Sequence, residues 1–214
     1  MVSHPARWAV ALAALAGPAC AALEPLGYAL LNSLPATELA VEEDRLYLMG
    51  DLNSRSLGQV RRSLEARPEV TTLVLTACPG SIDDETLVQI GRMVRSRGLN
   101  THLLGNSVIA SGAVDLFLAG VSRTMERGAV LGVHSWADME YTATDIPVDH
   151  ADHALYVDYV NEMLGDDAFY WFTIAAAPAN DIHWMTLKEV ERFGLLTAPV
   201  QAPSGEPTPF GRTF

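Results

Sequence analysis

Apolar and polar positions along the chain fall into short blocks whose period switches repeatedly between two and three-to-four. TELAVEEDRLYLMGDL (residues 37–52) alternates in twos, with Leu46 and Leu48 on one side and Tyr47 and Met49 on the other, and predicts one or two strands. In SRSLGQVRRSLEARP (54–68), Leu57, Val60 and Leu64 recur at helix spacing until Pro68 ends the run. VTTLVLTA (70–77) is a β-branched run of strand length, apolar enough for burial on both faces. The turn CPGS leads into DDETLVQIGRMVRSRG (83–98), a helix with acids in its first turn and Gly98 just past its end. The cycle then repeats, with THLLG (101–105) a short strand, residues 110–119 a helix and AVLGVHSW (129–136) a strand. Residues 136–148 carry no period and predict a loop. A helix through Leu155, Val157, Tyr159, Val160 and Met163 follows, then the apolar AFYWFTIAAA. Such alternation predicts an α/β domain with a mostly parallel sheet, whose chemistry belongs at the carboxyl ends of its strands. Three places qualify: CPGS, the start of the 110–119 helix, and VHSW.

Composition sharpens this picture. A chain of 214 residues, 49% hydrophobic and 19% charged, has enough apolar material for one domain with a substantial core. A net charge of −12 argues against nucleic acid or an anionic membrane surface as partner. Arg7, the apolar run from Trp8 to Ala16 and Ala19-Cys20-Ala21 predict a signal peptide over residues 1–21, and hence an exported, periplasmic protein. The alternative is a lipoprotein anchored through Cys20. The apolar run is too short for a stable transmembrane helix. Cleavage after Ala21 leaves Cys78 alone, with no disulfide partner and no zinc-ligand spacing. Residues 22–198 then form the domain, and the Pro- and Gly-rich residues 199–214 predict a flexible tail.

Ser111 opens a run that is otherwise small and apolar. It is either an N-cap for the helix or a nucleophile held where backbone donors and the helix dipole favour negative charge. His134 sits in an apolar strand, as a satisfied core histidine or as the base that activates Ser111. CPGS is a plain strand-to-helix turn or a backbone cradle for an oxyanion. DHADH (149–153) offers His150 and His153 as metal ligands or, more simply, as solvent-facing groups of an early helical turn.

The order of these parts resembles the Clp protease proteolytic subunit and its relatives in the ClpP/crotonase superfamily, the exported members most of all. RLYLMGDL is similar to that family's first strand and turn, and LVLTACPGS to its oxyanion strand and loop. ASGAVDLFLAG is similar to the stretch around its nucleophile, AVLGVHSW to the strand of its base, and WMTLKEVERFGLL to the segment that closes the fold. The resemblance implies repeated ββα units with a mostly parallel sheet flanked by helices. It implies an ATP-independent serine peptidase that acts on peptides or proteins, forms a homo-oligomer and needs no cofactor or metal. Ser111 would be its nucleophile, His134 its base and Asp181 its acid. The N–H groups of Ser81 and Gly112, with Gly80 shaping the turn, would form its oxyanion hole. The sequence departs from the family in three ways. Ser81 replaces a second glycine in the turn, Pro178 stands where the acid is expected with Asn180 and Asp181 nearby, and Asp115 adds a carboxylate one turn below Ser111. A catalytically inactive binding or assembly module is the alternative on the same fold. A Ser-Lys dyad is excluded because Lys188, the one lysine, lies in the closing segment. An acyl-CoA enzyme is disfavoured by the shortage of basic residues for CoA phosphates.

Overall fold

The computed structural model describes residues 37–210; the signal peptide expected over residues 1–21 lies outside the described residues. β1 (Glu38–Glu42) and β2 (Arg45–Met49) form an antiparallel hairpin, followed by α1 (Ser56–Ala66) and β3 (Thr72–Cys78). Next come α2 (Asp84–Ser96), β4 (Asn100–Ala110), α3 (Gly112–Leu118), β5 (Arg123–Met125) and β6 (Val130–Val133). α4 (Ala154–Leu164), α5 (Ala168–Ala176), β7 (His183–Trp184) and α6 (Leu187–Arg192) complete the chain. The sheet runs β1-β2-β3-β4-β6-β7, parallel from β2 to β6 and antiparallel at both edges. β4 is long enough to pair twice on one side, its first half with β5 and its last three residues with β6.

The period of two assigns the two faces. Leu46, Leu48, Leu73, Leu75 and Leu103 turn into the main core under the helices, whereas Tyr47, Val74 and Leu104 form a second, thin cluster on the other face. Among the described residues no helix packs on that second cluster, and the end of the chain does. Where the sequence predicts a flexible tail, the Gln201 N–H donates to the Met125 carbonyl and the Arg127 N–H to the Gln201 carbonyl. Glu206 pairs with Arg45 at 2.8 Å and accepts from the Tyr47 hydroxyl, and Phe210 packs on the cluster. A few anchors thus hold a segment whose prolines supply no amide donor.

Caps position the helices that carry the site. The Asp83 side chain accepts from the Thr86 N–H at α2's start. Arg95 reaches across to the carbonyls of Leu118 and Ala119, both at 2.8 Å, and so satisfies the end of α3. Cys78, the last residue of β3, is fully buried, and its thiol donates to the Leu48 carbonyl at 3.3 Å. Among the described residues no helix is long and apolar enough to cross a membrane.

Candidate active site

Three neighbouring parallel strands, β3, β4 and β6, end side by side, and each end carries a candidate group. β3 runs into Pro79-Gly80-Ser81, β4 into Ser111 and β6 into His134. Ser111 and His134 line one cleft, together with Asp84, Asp115 and a wall of aromatic rings.

Ser111 has φ 52° and ψ −136°, a backbone conformation that L-residues with a Cβ rarely adopt. Two ladders force the bend. The Ser111 N–H still donates to the Gly132 carbonyl at 2.9 Å, as a last rung between β4 and β6, while its carbonyl already accepts from the Val114 N–H at 2.8 Å within α3. A helix cap would give the hydroxyl a structural use, but its side chain makes no capping bond. The strain therefore presents an uncommitted hydroxyl at the cleft.

The turn after β3 presses against it. A Cβ at Gly80, where φ is +152°, would lie 3.0 Å from the Ser111 Cβ and 3.4 Å from its Oγ. The Leu52 N–H donates to the Gly80 carbonyl at 3.0 Å and the Ile82 N–H to the Leu52 carbonyl at 2.7 Å. In such a parallel bridge the residue between, Ser81, directs its own N–H the opposite way, towards the Ser111 side. Ser81 needs no glycine-like backbone here, since its φ is not positive, and its Oγ donates to Asp84 Oδ1. Gly112 packs onto Ser81 and Leu87, closely enough that a Cβ there would collide with both.

His134 Nδ1 lies 2.7 Å from the Ser135 carbonyl oxygen. A carbonyl only accepts, so Nδ1 carries a proton, and in the neutral ring Nε2 is the nitrogen left to accept. Asp181 does not meet this ring. It is exposed, outside the cleft lining, and its Oδ1 accepts from the Ile182 N–H at 2.8 Å, while Asn180 is exposed as well. The Ser135 N–H ties to the Ala177 carbonyl at 2.8 Å, so the 177–181 segment passes close to His134 but spends its acid on its own backbone.

Two carboxylates that the sequence reading did not assign to catalysis stand in the cleft. Asp84 Oδ2 accepts from the Tyr156 hydroxyl at 2.6 Å, and that ring stacks between Trp136 and Tyr170 at 5.8 and 5.7 Å. Asp115 is half-buried, and burial, reinforced by the charge of Asp84, pushes its carboxyl up to about 7. The sequence signal for Asp84 was its place in the first turn of α2, which reads equally as a helix-dipole partner. The aromatic wall comes from a loop and two helices, Trp136, Tyr156 and Tyr170, and each of these residues reads as core on its own. His153, weighed above as a metal ligand, is buried with Nδ1 2.5 Å from the Tyr170 hydroxyl, whereas His150 is exposed beside Asp152.

No family model matches this sequence, and no curated protein matches it either. Solved structures do resemble it. A peptidase from Plasmodium falciparum superposes with a TM-score of 0.53 at 11% identity, over 72% of this chain and 94% of that one. A ClpP1 variant from Listeria monocytogenes does so with 0.53 at 13%, over 74% and 92%. A methylmalonyl CoA decarboxylase gives 0.51 at 12%, over 78% and 68%. At these identities the likeness is one of fold: a seven-stranded mixed sheet with flanking helices, as in the ClpP/crotonase superfamily.

Proposed function

We propose that this chain is an exported serine hydrolase of the peptidase type, acting on peptide or protein substrates without ATP. The observation that carries the reading is Ser111: a strained residue whose hydroxyl caps nothing and opens on the same cleft as His134. In this reaction the Ser111 Oγ attacks the scissile carbonyl and His134 Nε2 takes its proton. The N–H groups of Ser81 and Gly112 stabilise the oxyanion. Collapse expels the leaving amine, which takes the proton from His134, and water then releases the acyl group by the reverse sequence. The Ser135 carbonyl holds the tautomer in place of Asp181.

A second reading, a silent binding or assembly module, is favoured by that same carbonyl, since a neutral acceptor stabilises an imidazolium less than a carboxylate does. A fluorophosphonate separates the two. The wild type should be labelled at Ser111, with labelling lost in Ser111→Ala and suppressed in His134→Ala. A folded wild type that resists probes of several sizes would leave the binding module as the function.

Export rests on residues 1–21, and self-association on an apolar strip of the helix-free face. There Val108 and Val130 pair across β4 and β6, with Trp184 laid over Gly132, all exposed. Mass spectrometry of exported protein should find a chain that begins at Ala22; a lipid-modified Cys20 would instead make it an anchored lipoprotein.

A further inference from the structure

The cleft beside Ser111 is small and its charge is one-sided. It encloses about 50 Å³ and is lined by Asp84 and Asp115 with no lysine or arginine. Asp84 is fully engaged, by Ser81 on one oxygen and Tyr156 on the other. Asp115 is not: among the described residues no donor is recorded at its carboxylate, and its proton affinity is set by burial and by Asp84 alone. A carboxylate left without a donor in a cleft is costly until a cation or donor arrives. A second feature favours a cation that brings its own charge. Trp136, Tyr156 and Tyr170 line the same cleft and stack on one another, so the wall beside Asp115 supplies little to solvate its charge.

Reach decides which ammonium fits. Asp115 lies one turn into α3, four residues after Ser111, and both side chains line the cleft. A carbonyl poised for attack stands about 3 Å from the nucleophile, which leaves little length between it and Asp115. A lysine ammonium, six bonds from its own carbonyl carbon, overshoots this gap. An α-ammonium, two bonds away, spans it.

We propose that the cleft takes α-aminoacyl amides or esters with an unblocked amino terminus, and that Asp115 is the residue that selects them. The activity would then be exopeptidase-like, releasing residues from a free amino end. For turnover this rests on the serine-hydrolase reading, whereas recognition of the ammonium does not.

The test therefore uses binding as well as catalysis. Full-length Ser111→Ala protein, near pH 8 where an α-amine and Asp115 can share charge, is titrated calorimetrically with leucinamide and with N-acetyl-leucinamide. Leucinamide should bind and the acetylated compound should not. Asp115→Asn, checked for folding by circular dichroism, should weaken leucinamide roughly 30-fold or more, the loss typical of a broken charge pair. Equal affinity for the two compounds, or binding of neither, overturns the proposal, and that comparison needs no substitution at Asp115. Separately, leucine p-nitroanilide should be hydrolysed by the wild type and its N-acetyl form spared. Labelling of Ser111 together with equal cleavage of both would overturn selection while the hydrolase reading stands. Absence of labelling with selective leucinamide binding would overturn the hydrolase reading and support the selection.

Discussion

Asp115 ties the chemistry of the cleft to the stability of the chain. Its carboxyl rises from 3.8 to about 7 in the folded protein, so the native state holds this proton more tightly than the unfolded chain does. Folding therefore takes up a proton between those values. The contribution is most favourable below about pH 4 and is lost as pH rises through about 7. The interval sets a ceiling of about 4 kcal/mol, which water in the cleft lowers. Urea unfolding should show wild type losing stability relative to Asp115→Asn between about pH 4 and about pH 7. Parallel pH profiles would show that Asp115 is not held in the way described. That Ser111 and His134 stand at strand ends and reach one cleft was legible in the sequence, because each interrupts an apolar run. Asp181 was not, because the direction of a carboxylate on a loop depends on local backbone donors, here the Ile182 N–H. Trp136, Tyr156 and Tyr170 were invisible as a wall, since an aromatic residue lining a cleft has the same spacing as one filling a core.

Helices and strands were largely readable from period alone, and the departures have local causes. THLLG ends at Gly105 by its apolar pattern, yet β4 continues to Ala110. The polar Ser107 that hides this is fully buried and donates its hydroxyl to the Leu75 carbonyl at 2.7 Å, where the register with β3 shifts. The extension matters, since it carries Ser111 to the level of Gly80. Packing between α2 and α4 is similarly specific. Gly91 faces Tyr159, and an added Cβ would collide with its ring and hydroxyl. Tyr159 is 1% exposed and its hydroxyl donates to the Asp115 carbonyl at 2.9 Å, so the ring has nowhere to step aside. Alanine favours a helix by about 1 kcal/mol over glycine, but overpacking costs about 1–3 kcal/mol. Gly91→Ala should therefore lower the urea midpoint and disturb α3 from behind. An unchanged or higher midpoint would mean that the two helices can separate freely.

At the scale of the whole molecule the two faces of the sheet differ in kind. One lies under apolar side chains from all six helices; on the other, among the described residues, Glu206 and Phe210 anchor the last segment over a small cluster. The sequence reading missed that anchoring because it rests on contacts with β2, more than 150 residues earlier in the chain. The strip left open, Val108, Val130 and Trp184, is the surface assigned to a second copy. Trp184→Glu should lower the sedimentation mass without unfolding the protein. A wild type already monomeric, or a variant with unchanged mass, would remove that assignment. One buried atom can report when the sheet opens. The Cys78 thiol, which burial pushes up to about 12, ends the strand that feeds the Pro79-Gly80 turn and is inert while β3 stays paired. Its alkylation rate, located by peptide mapping, is therefore a stopwatch native to the protein: each modified molecule records one excursion in which the floor beneath the oxyanion turn came open.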